Sequence, residues 1–262
     1  MHVDRTLARD AFEAYVSGYD ARNPRIALKV EHTIRVAELC DEIARSLGLS
    51  PEEIDLAWLV GLLHDVGRFE QVRRYNSFND RATVSHAALG VEVLFGTRAQ
   101  EGIIRNFAPS PDEDGLIRRS VALHSELRLP DSLEERDRTF CNILRDADKI
   151  DILKVNCINT SEEIYGVSNR EMAESILSDE VERVFYEHRC IPRDIKSSPI
   201  DLVVGHICFA YELVYPISLE IVLKQGHLQQ ILDRRFEDPD TDKRFRRMGQ
   251  HIRMWACEKV RL

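Results

Sequence analysis

A histidine and an aspartate stand side by side at His64-Asp65, within the run Gly-Leu-Leu-His-Asp-Val-Gly-Arg at 61–68. The run closes an apolar helical segment, and Gly67 follows closely. Burying such a pair is costly unless each member finds a partner. Upstream, His32 lies in the stripe Leu28, Val36, Leu39, Ile43 and Leu47. At about 100° per residue that stripe faces a core. Downstream, Asp148 shares a face with Cys141, Leu144, Ile152 and Val155. A single histidine in an apolar stripe is more often a core residue than a ligand. Several helices that each aim a histidine or carboxylate inward read as a metal site, and such a site suits hydrolysis.

Two more histidines join the pattern. His86 opens a helix with Leu89 and Val93 on its face, and His124 shares a face with Ile117 and Val121. Pointing at one cavity, they supply ligands for a second ion or hold a substrate phosphate. Two ions about 3.5–4 Å apart form the clamp that phosphoester hydrolysis uses. A His and carboxylate set without cysteine favours Mn, Fe, Mg, Co, Ni or Zn, one or two per chain. Asp65 falls at the last turn of its helix, where the macrodipole opposes it and a bound cation would offset the penalty. Of the acids in Asp146-Ala147-Asp148-Lys149-Ile150-Asp151, Asp148 is the better ligand. Asp146 is expected to orient a neighbour or meet solvent, and Asp151 to lie on a solvated face.

The elements that must position these residues are helices, and strand-like alternation is almost absent. The spacing and caps predict helices over 4–18, 24–47, 51–65, from Thr83 or Ser85 to 95, 116–127 and 133–156. Residues 68–84 read as an irregular connection rich in Arg, Asn and Asp. The segment 161–262 reads as further helices with breaks near Pro192, Pro216 and Asp238-Pro239. The expected fold is an all-α bundle in one domain over 1–262, with a metal-binding core at about 25–155 and a helical extension at about 161–262.

Composition narrows the function classes. The 262 residues include 44% hydrophobic and 31% charged, ordinary for a soluble globular chain. The net charge of −9 argues against stable nucleic-acid or membrane partners. Six scattered cysteines without a C-x-x-C pair read as reduced thiols in a cytoplasmic protein. The N-terminus has no apolar signal core, and the most apolar stretch, 202–223, is interrupted by His206, Glu212, Pro216 and Glu220. His206 and Tyr211 within it read as core. No Walker A run, Gly-x-Gly-x-x-Gly or Gly-x-Ser-x-Gly is present.

The order His32, His64-Asp65, Asp148 resembles the HD superfamily of metal-dependent phosphohydrolases. Leu-Leu-His-Asp-Val-Gly-Arg at 62–68 is similar to its central motif, and Ala-Asp-Lys at 147–149 to its distal aspartate motif. The resemblance covers about 25–155 and implies an all-α HD-type fold. By it, His32, His64, Asp65 and Asp148 hold one ion, and His86 and His124 stand where many members carry extra histidines. His64, Asp65, Arg68 and Lys149 would form the catalytic set. Arg68 and Lys149 would hold phosphate oxygens, with His86, His124 and Arg81 as further substrate contacts. The implied reaction is cleavage of a phosphomonoester or phosphodiester, with a nucleotide as the plausible substrate, by a metal-activated water. Arg68-Phe69-Glu70-Gln71 and Phe78-Asn79-Asp80 resemble a bacterial subgroup of HD proteins. Two departures bear on activity. His124-Ser125 replaces the adjacent histidines often found in two-metal members, and the Gly-Tyr-Pro of the cyclic-di-GMP branch is absent. The alternatives are a nucleotide-binding signalling module that keeps the metal site, and a di-iron oxygen-dependent enzyme that engages both extra histidines. A homo-oligomer is compatible with either.

Overall fold

The computed structural model describes residues 3–260, and all regular structure among them is helical. The residues group into two units, Met1–Ala147 and Asp148–Leu262.

The first unit holds α1 (Arg5–Val16), α2 (Pro24–Ser46), α3 (Pro51–Leu63), α4 (Val66–Tyr75), α5 (His86–Phe95), α6 (Asp114–Leu123) and the first part of α7 (Glu135–Ile158). The starts follow local chemistry. Asn23 caps α2 ahead of Pro24, and Ser50 forms a capping box with Glu53 ahead of α3. The sequence of α3 is apolar on every side, and every residue from Leu56 to Leu63 is buried. It is therefore the central helix, packed against α2, α1 and α6. Gly61 lets α3 approach α2 closely, since a Cβ there would lie 2.7 Å from Ala37 Cα.

The connection expected over 68–84 is helical in its first half. α3 and α4 are separated only by His64 and Asp65, and α4 continues to Tyr75, where Asn76 ends it in the left-handed conformation at φ 47°. Gly67 is the second residue of α4, not a helix stop. Its lack of a side chain serves packing: a Cβ would stand 2.2 Å from the His86 carbonyl oxygen and 2.4 Å from Gly90 N of α5. Phe69 anchors α4 in a cage of Phe12, Tyr15 and Tyr19, and the Tyr15 hydroxyl donates to the Val66 carbonyl at 2.9 Å.

The second unit contains the rest of α7, then α8 (Ser161–Tyr165), α9 (Asn169–Ala173), α10 (Asp179–Phe185), α11 (Pro199–Ile207), α12 (Pro216–Gln225), α13 (His227–Leu232) and α14 (Pro239–Val260). Pro216 and Pro239 each occupy the first turn of a helix, so they mark starts as well as breaks. Capping boxes at Thr160, Ser168 and Ser198 open α8, α9 and α11. His206 is half-buried on α11. Burial pushes its imidazole down to about 3, and its Nδ1 accepts from Asn156 Nδ2 at 2.9 Å. Asp146 and Asp151 are buried at 0% and 2% exposure, which corrects the solvated face expected for them. No disulfide forms among the described residues, and four of the six cysteines are buried. No helix among the described residues is long and apolar enough to cross a membrane.

Candidate metal centre

Asp65 occupies the junction between α3 and α4. It is the N-cap residue of α4, yet its side chain makes no capping bond. This corrects the expectation that it opposes a helix dipole. It faces the C-terminus of α3 but sits at the N-terminus of α4, where a negative charge is favoured. The carboxylate is 2% exposed at residue level and is shared between two pairs of imidazoles. Its Oδ2 lies 3.5 Å from His32 Nε2 and 3.4 Å from His64 Nε2. Its Oδ1 lies 3.6 Å from His86 Nε2 and 3.8 Å from His124 Nε2. Within the pairs, His32 and His64 bring their Nε2 atoms to 3.3 Å, and His86 and His124 theirs to 2.9 Å.

The orientation of three rings is set by acceptors at Nδ1. His64 Nδ1–H donates to the Gly61 carbonyl at 2.7 Å, and His124 Nδ1–H to the Val121 carbonyl at 2.7 Å. Both bonds run back to residue i−3, so each ring uses a carbonyl left open at its own helix end. His86 Nδ1–H donates to Asp80 Oδ2 at 2.6 Å. A carbonyl or an ionised carboxylate accepts only, so these protons sit on Nδ1 and each Nε2 faces the cluster. Burial, then the Arg68 guanidinium, lowers the His86 pKa despite Asp80 and Asp65. Burial alone would raise the Asp65 carboxyl, but Lys29, then His64 and His86, hold it well below the usual range.

The donor set fits a cation. Two ligands at right angles on bonds of about 2.1 Å lie about 3.0 Å apart, and wider angles give longer separations. The Nε2 and carboxylate distances above fall in that range. His86, His124 and Asp65 offer atoms that all lie within 4.8 Å of one another. Nitrogen lone pairs brought this close are well placed to share a cation, and the mixed N/O set without sulfur matches a divalent first-row metal or Mg.

Among the other expected residues, Lys149, Arg68 and Arg81 are placed differently from the phosphate contacts expected of them. Asp148, half-buried on α7, is the first residue of the second unit. Lys149 is 9% exposed, and its Nζ donates to the Glu212 carbonyl at 3.2 Å. Arg68 commits one arm of its guanidinium to the loop, while its Nε lies 3.7 Å from Asp65 Oδ1 and makes no hydrogen bond. Its Nη1 bonds Gln71 Oε1, the Phe78 carbonyl and Asp80 Oδ1 at 2.7–2.8 Å, so it pins the loop after α4. Arg81 is exposed in that loop and stands outside the buried cluster. Phe78 packs its ring against Lys29 and Arg68, which anchors the loop from within.

Two functional residues escaped the sequence reading. Lys29 Nζ lies 2.6 Å from Asp65 Oδ2, one helical turn before His32 on α2. Its signal was that i, i+3 spacing. Asp80 orients His86, and Arg68, Gln71 and Thr83 hold the loop that carries it. Its signal was the acid six residues before a histidine that opens a helix. On the opposite flank, Arg145 of α7 bonds the carbonyls of Leu123, His124 and Leu127 at 3.2–3.3 Å, fixing the end of α6 under His124.

The family model for the HD domain matches residues 30–153, so that segment carries an HD domain. The match spans all five residues of the cluster together with Asp80 and Asp148. No curated protein and no solved structure matches the chain. HD domains bind divalent metals and are characteristic of metal-dependent phosphohydrolases.

Proposed function

We propose that this chain is a metal-dependent phosphohydrolase acting on a small phosphorylated substrate in the cytoplasm, with nucleotides as the leading class. One observation carries this reading: a single buried carboxylate is shared between two imidazole pairs, and three of the four rings have their Nδ1–H bonds committed elsewhere. His32 and His64 with Asp65 Oδ2 would hold one ion, and His86 and His124 with Asp65 Oδ1 a second. Asp148 is proposed as a further ligand from the order of the motifs. A divalent ion bound there supplies Lewis acidity toward phosphate and lowers the pKa of water. The side chains supply position. Asp65 fixes the spacing of the two ion places, and Asp80 and the helix-end carbonyls keep the imidazoles aimed. Lys29 is the cation nearest Asp65 and is placed to turn from the carboxylate toward a substrate phosphate. Arg68 keeps the floor of the site rigid.

The test is metal analysis by mass spectrometry on protein purified without added metal, followed by a panel of phosphomonoesters and phosphodiesters with Mn²⁺. One or two equivalents of ion and turnover of a phosphoester are expected. No retained ion, even after Mn²⁺ is offered, would sink the reading. Two irons with oxygen uptake in place of phosphate release would favour the di-iron alternative, which the engagement of both His86 and His124 makes a structured competitor.

Asp80→Ala tests the outer layer of the site. Removing the acceptor frees His86 to rotate, and loss of such a partner weakens metal binding by about 10- to 100-fold. The dissociation constant for Mn²⁺, measured by chelator competition, is expected to rise by that factor while the helical circular dichroism stays unchanged. An unaltered constant would show that Asp80 does not orient the ligand.

A further inference from the structure

Within the second unit, a cavity of about 380 Å³ opens beside the C-terminal end of α7. Its lining includes Asn156, Asn159, Asn169, Arg234, Arg235 and Phe236. The two arginines set it apart. Elsewhere in this unit Arg244 holds Glu182 at 2.6 Å, Arg246 holds Asp242 at 2.6 Å and Arg253 holds Asp233 at 2.9 Å. Arg234 and Arg235 form no ion pair with a carboxylate among the described residues. Arg234 Nη2 donates to the Asn156 carbonyl at 2.5 Å, which fixes its guanidinium at the wall. Arg235 is exposed at the mouth, and its one polar contact is a long one of 3.4 Å to the Arg234 carbonyl. Asn159 and Asn169 add carboxamides whose hydrogen-bonding capacity no described residue uses.

Two guanidinium groups with no carboxylate in ion-pair contact, the nearest charge effect of Arg235 being on Asp242, make a local positive potential that an anion would neutralise. Planar forks beside amide donors match the several oxygens of a phosphate. The volume falls in the range of small-molecule pockets. We propose that this cavity binds a phosphorylated small molecule of mononucleotide size or less, at a site separate from the metal centre. Arg234 and Arg235 would grip the phosphate, and Asn159 and Asn169 its polar remainder.

The experiment is isothermal titration of the full chain with two probes, inorganic pyrophosphate and AMP. Wild type is expected to bind at least one of them. Arg235→Glu should weaken that binding by at least about tenfold, and Asn169→Asp should weaken it in the same direction. Both positions are exposed, so melting temperature and metal content should stay at the wild-type values. Asp65→Ala should retain the binding, because the cavity does not use the metal centre. Binding of pyrophosphate but not AMP would identify the ligand as the bare phosphate group. No binding of either probe by wild type would overturn the proposal. So would equal binding by wild type and Arg235→Glu, or a signal lost in Asp65→Ala and kept in Arg235→Glu.

Discussion

Asp65→Ala is expected to abolish both metal retention and phosphoester turnover. The carboxylate is the one group that faces both imidazole pairs, with Oδ2 toward His32 and His64 and Oδ1 toward His86 and His124. Without it, neither pair has an anionic ligand among the residues of the first unit that form the cluster. Lys29 Nζ also loses its counter-charge at 2.6 Å, and its unpaired ammonium opposes an incoming cation. Loss of the ion's charge stabilisation should lower turnover by at least about 10³-fold, equivalent to about 4 kcal/mol in the barrier. An unpaired Lys29 destabilises both this variant and Asp65→Asn, so circular dichroism accompanies each assay, and Asp65→Asn isolates the charge by keeping the shape. Metal content and initial rate on the same preparations are the measurements. A folded Asp65→Ala protein with unchanged turnover would remove Asp65 from the reaction.

Gly67→Ala is expected to have the largest structural effect of any single methyl group added near the site. The new Cβ would meet the His86 carbonyl oxygen at 2.2 Å, Gly90 N at 2.4 Å and Gly90 Cα at 2.9 Å. All three are backbone atoms of α5, so no side chain can swing aside. α4 and α5 must separate, and overpacking of that kind costs about 3 kcal/mol or more. For a chain of this size, the melting temperature should fall by roughly 6–12 °C. The separation also moves Asp65, two residues before Gly67, away from His86 at the start of α5. Metal affinity should therefore drop together with stability. Gly48→Ala is the comparison. Gly48 has φ +69° and nothing within 4 Å of a built Cβ, so its cost is the backbone strain of about 1 kcal/mol alone, with metal binding untouched. Thermal denaturation and Mn²⁺ titration of the two variants separate crowding from strain.

The helical class and most helix starts were legible because caps and prolines act locally. Asn23-Pro24 and Ser50-Pro51 with Glu53 each open a helix where the residues say they should. The inward aim of His32, His64, His86 and His124 was legible because 3.6-residue periodicity ties it to neighbouring apolar residues. The break between α3 and α4 was misread because Gly67 looks like a C-cap glycine, whereas its role is to admit the backbone of α5, which only the tertiary packing reveals. The same limit explains Asp146 and Asp151. A run of acids reads as a wet face until other helices cover it, and both are buried. Lys29 and Arg68 show the limit for charge. Sequence marks both as cations near the site, but only geometry shows that Lys29 closes on Asp65 at 2.6 Å while Arg68 stands 3.7 Å from it and ties its Nη1 to the loop at Phe78 and Asp80.

The five residues of the cluster come from α2, the α3–α4 junction, the start of α5 and the end of α6. Only His64 and Asp65 are neighbours in the chain, so an unfolded chain offers an ion little more than that pair. Affinity for metal is thus a property of the assembled helices, and occupancy is linked to folding. At a free ion concentration 100-fold above the dissociation constant, binding adds about 2.7 kcal/mol of resistance to unfolding. The level of available metal in its surroundings then sets how often this chain opens, and with that its exposure to proteolysis, independently of whether any substrate is present.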